Sequence, residues 1–279
     1  MTRLSTLLLA VDASPYAEAA AHYAAFFSRQ LKLPVEVLHV LDSRAAGTPA
    51  SFDAGVDDMA MMTPPFDASI QEVLEARADD LKVHIDELLE QLGLNAEVGL
   101  ASGGPAGAIL ERADAQTLSV LGREGEAAEP GGDARLGSVA ERVVRRAEGA
   151  VLLVPEHFFK PERVVLGYDG SAGAEAALAY TSKVAQHLNV PVLALNAQED
   201  EAAAQKQLDT ARARAAREGL QLETEYRYGN PTDAILSATH EGDLLAIGAF
   251  GSGRLTEFFR GSTTASVVRR ANVPVLLHH

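Results

Sequence analysis

Two doubly wound α/β domains in tandem are predicted for this chain by three features of its sequence. It carries an internal repeat, its strand-like runs are apolar almost throughout, and longer helical patterns separate those runs. The 279 residues suffice for two domains of roughly 140 residues each. The segment Leu7-Leu8-Leu9-Ala10-Val11-Asp12-Ala13-Ser14 returns as Val164-Val165-Leu166-Gly167-Tyr168-Asp169-Gly170-Ser171. Gly103-Gly104-Pro105-Ala106-Gly107-Ala108-Ile109-Leu110 returns as Gly229-Asn230-Pro231-Thr232-Asp233-Ala234-Ile235-Leu236. Matches that recur in one order across both halves define a tandem duplication. The expected domains are 1–155 and 162–279, joined by a short linker over Glu156–Glu162.

In the first copy the opening apolar run leads into an Ala-rich helix, Ala17–Gln30, and then into the strand Pro34–Val40. Ser43–Asp67 is rich in Gly, Pro, Ser and Met without helical periodicity, and reads as a surface insertion. Glu72–Gln91 reads as a solvated amphipathic helix, and the copy closes on the strand Ala150–Pro155. The second copy is read as strands near 163–168, 191–197, 221–227, 243–248 and 273–277. Its helices fall near 172–188, 200–218, 231–240 and 261–271. Strands that are apolar on both faces and separated by helices imply a parallel sheet covered on both sides, and right-handed crossovers make it doubly wound.

Composition narrows the function. A formal charge of −15 repels nucleic acid and acidic lipid, so neither is an expected partner. The absence of cysteine excludes disulfides, thiol catalysis and thiolate zinc sites. The N-terminal apolar run is short and ends in Asp12, which suits a buried strand better than a signal peptide. No stretch approaches the roughly 20 apolar residues of a membrane span. The chain is therefore expected to be cytoplasmic.

Doubly wound sheets bind ligands beyond the carboxyl ends of their strands, where the winding reverses. There the second copy reads Gly248-Ala249-Phe250-Gly251-Ser252-Gly253-Arg254, and Gly261-Ser262-Thr263-Thr264 then opens a helix. Gly248, Gly251 and Gly253 let the backbone approach a ligand closely. The unsatisfied N–H groups at a helix start, with the hydroxyls of Ser262, Thr263 and Thr264 beside them, suit phosphate oxygens. A lone glycine or serine in such a place more often shapes a loop or caps a helix. The whole constellation at a strand end favours an anion site.

The spacing Gly248-x2-Gly251-x9-Gly261-Ser262 resembles the ATP-binding motif of the universal stress protein family. Gly167–Ser171 and Asn272–Leu277 are similar to that family as well, and the resemblance covers nearly the whole chain as two tandem copies. It implies five-stranded parallel sheets of order 3-2-1-4-5, an adenine nucleotide alpha hydrolase-like fold, and fifth strands that pair the two copies like a dimer within one chain. It implies a site in which Asp169 lies by the adenosine and Ala197 offers main-chain groups to the adenine edge. Gly248 and Gly251 would line the ribose and phosphates. Ser262 and Thr263 would hold phosphate oxygens, with Arg254 or Arg260 adding charge. The residue-level alternative for Asp169 is a cap on the turn that follows it.

The first copy departs from this pattern. Gly122-Arg123-Glu124-Gly125 is followed by eleven residues before Gly137-Ser138, two more than the motif has. The loop carries Glu124, Glu126, Glu129 and Asp133 against Arg123 and Arg135, a surplus of carboxylates that opposes a triphosphate. Asp12 and Ser14 are retained. Weak or absent ATP binding is expected there.

Other chemistries fit poorly. The sequence has no Gly-x4-Gly-Lys-Ser/Thr loop and no dinucleotide fingerprint after the first strand. Apart from the terminal pair His278–His279, no two histidines have metal-ligand spacing, so no metal site is assigned. No general base stands out near a γ-phosphate, so no catalytic residue is assigned either. The expected function is a stress-response regulator binding ATP, or ADP or AMP, with an unidentified client protein. The alternatives are a slow Mg²⁺-dependent ATPase or phosphotransferase, and an adaptor whose pockets are vestigial.

Overall fold

A computed structural model describes residues 4–42, 67–125, 136–248 and 263–278. The first half runs β1 (Thr6–Val11), α1 (Tyr16–Leu31), β2 (Val35–Leu41), α2 (Asp67–Gln91), β3 (Val98–Ser102), α3 (Pro105–Arg112), β4 (Thr117–Gly122), α4 (Ser138–Arg146) and β5 (Ala150–Val154). The second half repeats the order: β6 (Arg163–Gly167), α5 (Ala172–Leu188), β7 (Val192–Gln198), α6 (Glu201–Arg217), β8 (Leu222–Tyr228), α7 (Pro231–Ala238), β9 (Asp243–Gly248), α8 (Thr263–Arg270) and β10 (Val275–His278). The insertion expected over 43–67 lies, up to its last residue, outside the described residues.

The strands form one ten-stranded sheet of order β3-β2-β1-β4-β5-β10-β9-β6-β7-β8. Each half has the order 3-2-1-4-5 in its own numbering, and pairing within each half is parallel. The halves join where β5 meets β10 antiparallel, with Leu152 opposite Leu276. Both partners are apolar on both faces, so neither strand can be left exposed, and pairing them removes two sheet edges at once.

Alternation along each strand feeds two cores. Leu7 and Leu9 enter one and Leu8 the other, while Ala150, Leu152 and Val154 oppose Val151 and Leu153. Helices α1, α2, α5 and α6 cover the first core, and α3, α4, α7 and α8 cover the second. The buried alanines of α1 and α5 (Ala20, Ala21 and Ala24; Ala174, Ala177 and Ala185) bring those helices close to the sheet. Helix starts are fixed locally. Ser171 accepts from the Ala174 N–H at 3.2 Å, Asp200 from Ala203 at 2.9 Å, and Asn230 from Thr232 at 2.8 Å, the bonds that N-cap side chains make.

The last strand starts at Val275, two residues later than expected, because Pro274 has no N–H to give to a ladder. Its carbonyl still accepts from the Leu245 N–H at 3.0 Å. The linker is tied down by aromatic packing. Phe158 lies 4.7 Å from the Tyr23 ring and 5.6 Å from His22, and the Tyr23 hydroxyl accepts from the Phe159 N–H at 3.1 Å. Among the described residues no helix is long and apolar enough to cross a membrane.

Candidate functional site

Each half reverses its winding between its first and fourth strands, so the crevices open beyond β1 and β4 and beyond β6 and β9. In the second half Gly248 ends β9 against the first turn of α5. A Cβ built there would stand 2.5 Å from the Gly173 carbonyl carbon and 2.8 Å from the Ala174 nitrogen. Only glycine fits such an approach, and it brings the N-terminus of α5 against the carboxyl end of the strand.

The β6–α5 turn lies alongside. Asp169 is exposed, and its Oδ1 accepts from the Ser171 N–H at 2.9 Å. That bond is the turn-capping alternative weighed for Asp169, and it occupies one carboxylate oxygen. Gly170 holds a left-handed φ of +75°. Before the turn, Tyr168 donates from its hydroxyl to Glu175, whose other oxygen takes Arg214. Burial first, and then the Glu175 carboxylate, push the Tyr168 phenol above its ordinary pKa, so it remains a donor.

Ala197 stands at the carboxyl end of β7, between Asn196 and Gln198. The side chains of those two neighbours join Gln207 of α6. Asn196 Nδ2 donates to Gln207 Oε1 at 2.7 Å, and Gln198 Nε2 donates to the same oxygen at 2.9 Å and to Asn196 Oδ1 at 3.1 Å. Neither Asn196 nor Gln207 was a sequence candidate. The available signal was Asn196 and Gln198 in a run otherwise apolar, at positions that His39 and Leu41 hold in the first half.

On the fourth-strand side, Thr263 opens α8, and the Thr264 hydroxyl reaches the Gly248 carbonyl at 3.5 Å. The structure therefore brings Gly248, Asp169, Ala197 and the start of α8 to one end of the sheet. Gly251, Gly253, Gly261 and Ser262 lie outside the described residues, as do Arg254 and Arg260. Among the described residues no cluster of three or more His, Asp or Glu stands ready for a metal ion.

The first half shows the same corner with different contents. Asp12 Oδ1 accepts from the Ser14 N–H at 3.1 Å and from its hydroxyl at 2.5 Å. A Cβ on Gly125 would meet Asp12 Oδ2 at 2.8 Å, and the Gly137 N–H donates to the Arg123 carbonyl at 2.9 Å. The glycines of the loop thus close on one another and on Asp12. Tyr16 occupies the helix position that Gly173 has in the second half, and a Cβ on Gly122 would meet Tyr16 Cβ at 2.6 Å. Burial, followed by the Glu124 carboxylate, raises the Tyr16 pKa.

A duplicated doubly wound sheet, with a switch point in each half and one antiparallel seam between the halves, defines a tandem α/β protein. The model of the universal stress protein family matches residues 4–155 and 161–279, and the chain belongs to that family. A universal stress protein of Synechocystis is 26% identical over 98% of this chain and 99% of its own length. One from Mycolicibacterium smegmatis is 24% identical over 97% of this chain and 96% of its own. A universal stress protein structure from Archaeoglobus fulgidus superposes with a TM-score of 0.72 at 21% identity, covering 98% of this chain and 97% of that one. A second, from Pseudomonas aeruginosa, gives 0.62 at 12% identity over 99% and 93%. At these identities the structures speak for the fold.

Proposed function

We propose that the chain is a stress-response regulator that binds an adenine nucleotide, ATP in the first place, in the crevice of residues 162–279. The observation that carries this reading is the contact of Gly248 with the start of α5. It leaves no room for a side chain and sets the end of β9 against the first turn of α5, beside the turn that carries Asp169. The loop that begins at Gly248 has the glycine spacing described above. On this reading Gly248 and Gly251 line the ribose and phosphates, with Gly253 shaping the loop. Gly261, Ser262 and Thr263 hold phosphate oxygens, and Ala197 gives backbone groups to the base. Asp169 keeps Oδ2 for the nucleoside while Oδ1 holds its turn. Mg²⁺, where bound, would neutralise the phosphates.

The domain over 1–155 retains Asp12, Gly122, Gly125, Gly137 and Ser138. Its longer, carboxylate-rich loop and the presence of Tyr16 in place of a glycine support weaker nucleotide binding there. Nucleotide state would then bias the shape of one half and, through the β5–β10 seam, the surface shown to a client. Mass spectrometry of small molecules released from the denatured protein tests the reading. Adenine nucleotide in amounts comparable to protein supports it, and its absence after gentle purification and ATP incubation contradicts it. Phosphate release in a single-turnover assay would instead favour the ATPase alternative.

A further inference from the structure

The amide cluster at the end of β7 gives the second crevice a feature that the first lacks. Gln207 Oε1 takes two N–H donors, one from Asn196 and one from Gln198. Asn196 Oδ1 takes the second bond of Gln198. The three amides are oriented as one set, because turning Gln207 over alone would set its NH₂ group against two donors. Asn196 is 2% exposed, so its bond to Gln207 is sheltered from water.

The consequence falls on Gln207 Nε2. It makes no hydrogen bond within the described residues and points toward the β6–α5 turn. A Cβ on Gly170 would lie 3.3 Å from it and 3.0 Å from Gln207 Cγ. A pair of N–H donors is thus held beside Asp169, at the carboxyl ends of β6 and β7. The equivalent of Asn196 in the first half is His39, which spends Nδ1 on the Val11 carbonyl at 2.9 Å. Leu41 stands where Gln198 is, and no amide is presented there.

The geometry points to Gln207 as the side chain that recognises the base, its Nε2 donating to a ring nitrogen of adenine. This inference rests on the adenine-nucleotide reading of the second crevice and deepens it. Asn196 and Gln198 are positioning residues that act through Gln207. A donor fixed in this way favours a base edge carrying an acceptor. Replacing that acceptor by C–H leaves a polar group unpaired, a loss of about 5- to 30-fold in affinity.

The test is calorimetric titration of the full chain with ATP and with 1-deaza-, 3-deaza- and 7-deaza-ATP. The wild type should bind one of the three analogues about 5- to 30-fold more weakly than ATP, and Gln207→Leu should bind that analogue and ATP alike. Gln207→Glu keeps acceptors for Asn196 and Gln198 while removing the donor. It should weaken ATP without lowering the melting temperature, so it serves should the leucine variant fail to fold. The inference is overturned if all three analogues bind the wild type as ATP does, if the penalty survives in Gln207→Leu, or if Gln207→Glu binds ATP unchanged. A wild type that takes no adenine nucleotide at all removes the underlying reading too, a result distinct from these.

Discussion

Gly248 at the end of β9 and Gly173 in the first turn of α5 approach so closely that a Cβ on Gly248 would come within 2.5 Å of the Gly173 carbonyl carbon. The contact is between backbones, so no side-chain rotation relieves it. Gly248→Ala should therefore destabilise the protein by about 1–3 kcal/mol, the usual range for overpacking. Urea denaturation reads the change, and an unaltered midpoint would show that α5 does not press on the strand end.

Asp243 starts β9 as a buried carboxylate. It takes Arg163 at 2.9 and 2.6 Å through two oxygens, and the His240 N–H at 2.8 Å. Asp243→Ala leaves Arg163 facing a buried void and an amide unpaired. The expected cost is about 2–4 kcal/mol, toward the lower end of values for broken buried pairs because Arg163 is partly exposed. Denaturant unfolding of Asp243→Ala checks it. Thr117, at the same place in the first half, is satisfied instead by Asp114 at 2.8 Å.

Much of the fold could be read from residues because each local signal agreed with the next. The helix near 172–188 and the strands near 191–197 and 243–248 fall where their apolar runs put them, and the inner strands are apolar on both faces because both faces are covered. The glycine spacing from Gly248 is legible in the sequence, and of it Gly248 falls among the described residues. The β5–β10 seam and the strand order came from family resemblance, since periodicity does not say which strands are neighbours. Gln207 stayed hidden because it sits on a polar helix, and only the crossover from β7 to α6 sets it beside Asn196. The exchange of Gly173 for Tyr16 was visible in the repeat. Its meaning depends on the helix touching Gly122, which no local pattern reveals.

Tyr23 anchors the linker through Phe159, and burial pushes its phenol up to about 12. The folded value lies above the unfolded one of about 10. Stability from this group is therefore complete below about pH 10 and is lost as pH rises through about 12. In an ultraviolet phenolate titration Tyr23→Phe should remove one of the late-titrating phenols, with Tyr168 and Tyr180 among those that remain. The same variant should also cost about 1 kcal/mol for the lost acceptor. A titration curve unchanged by the substitution would contradict the burial.

Phe158 fills the space between Tyr23, His22 and Phe26. Phe158→Ala should free the segment 156–162 and make it the first site of limited proteolysis, with a stability loss of about 2–3 kcal/mol, reduced from the full core value by partial exposure. Protection equal to that of the wild type would mean that the seam between β5 and β10 alone immobilises the linker.

On the proposed function, adenine nucleotide is held by the second half, with its phosphates at the start of α8. The most direct test is calorimetric titration of ATP into the wild type, the double variant Ser262→Ala/Thr263→Val, and Ser138→Ala. One class of saturable site is expected in the wild type, lost or weakened at least about tenfold in the double variant and retained in Ser138→Ala. No heat with the wild type, or a loss caused by Ser138→Ala rather than by the double variant, would contradict it.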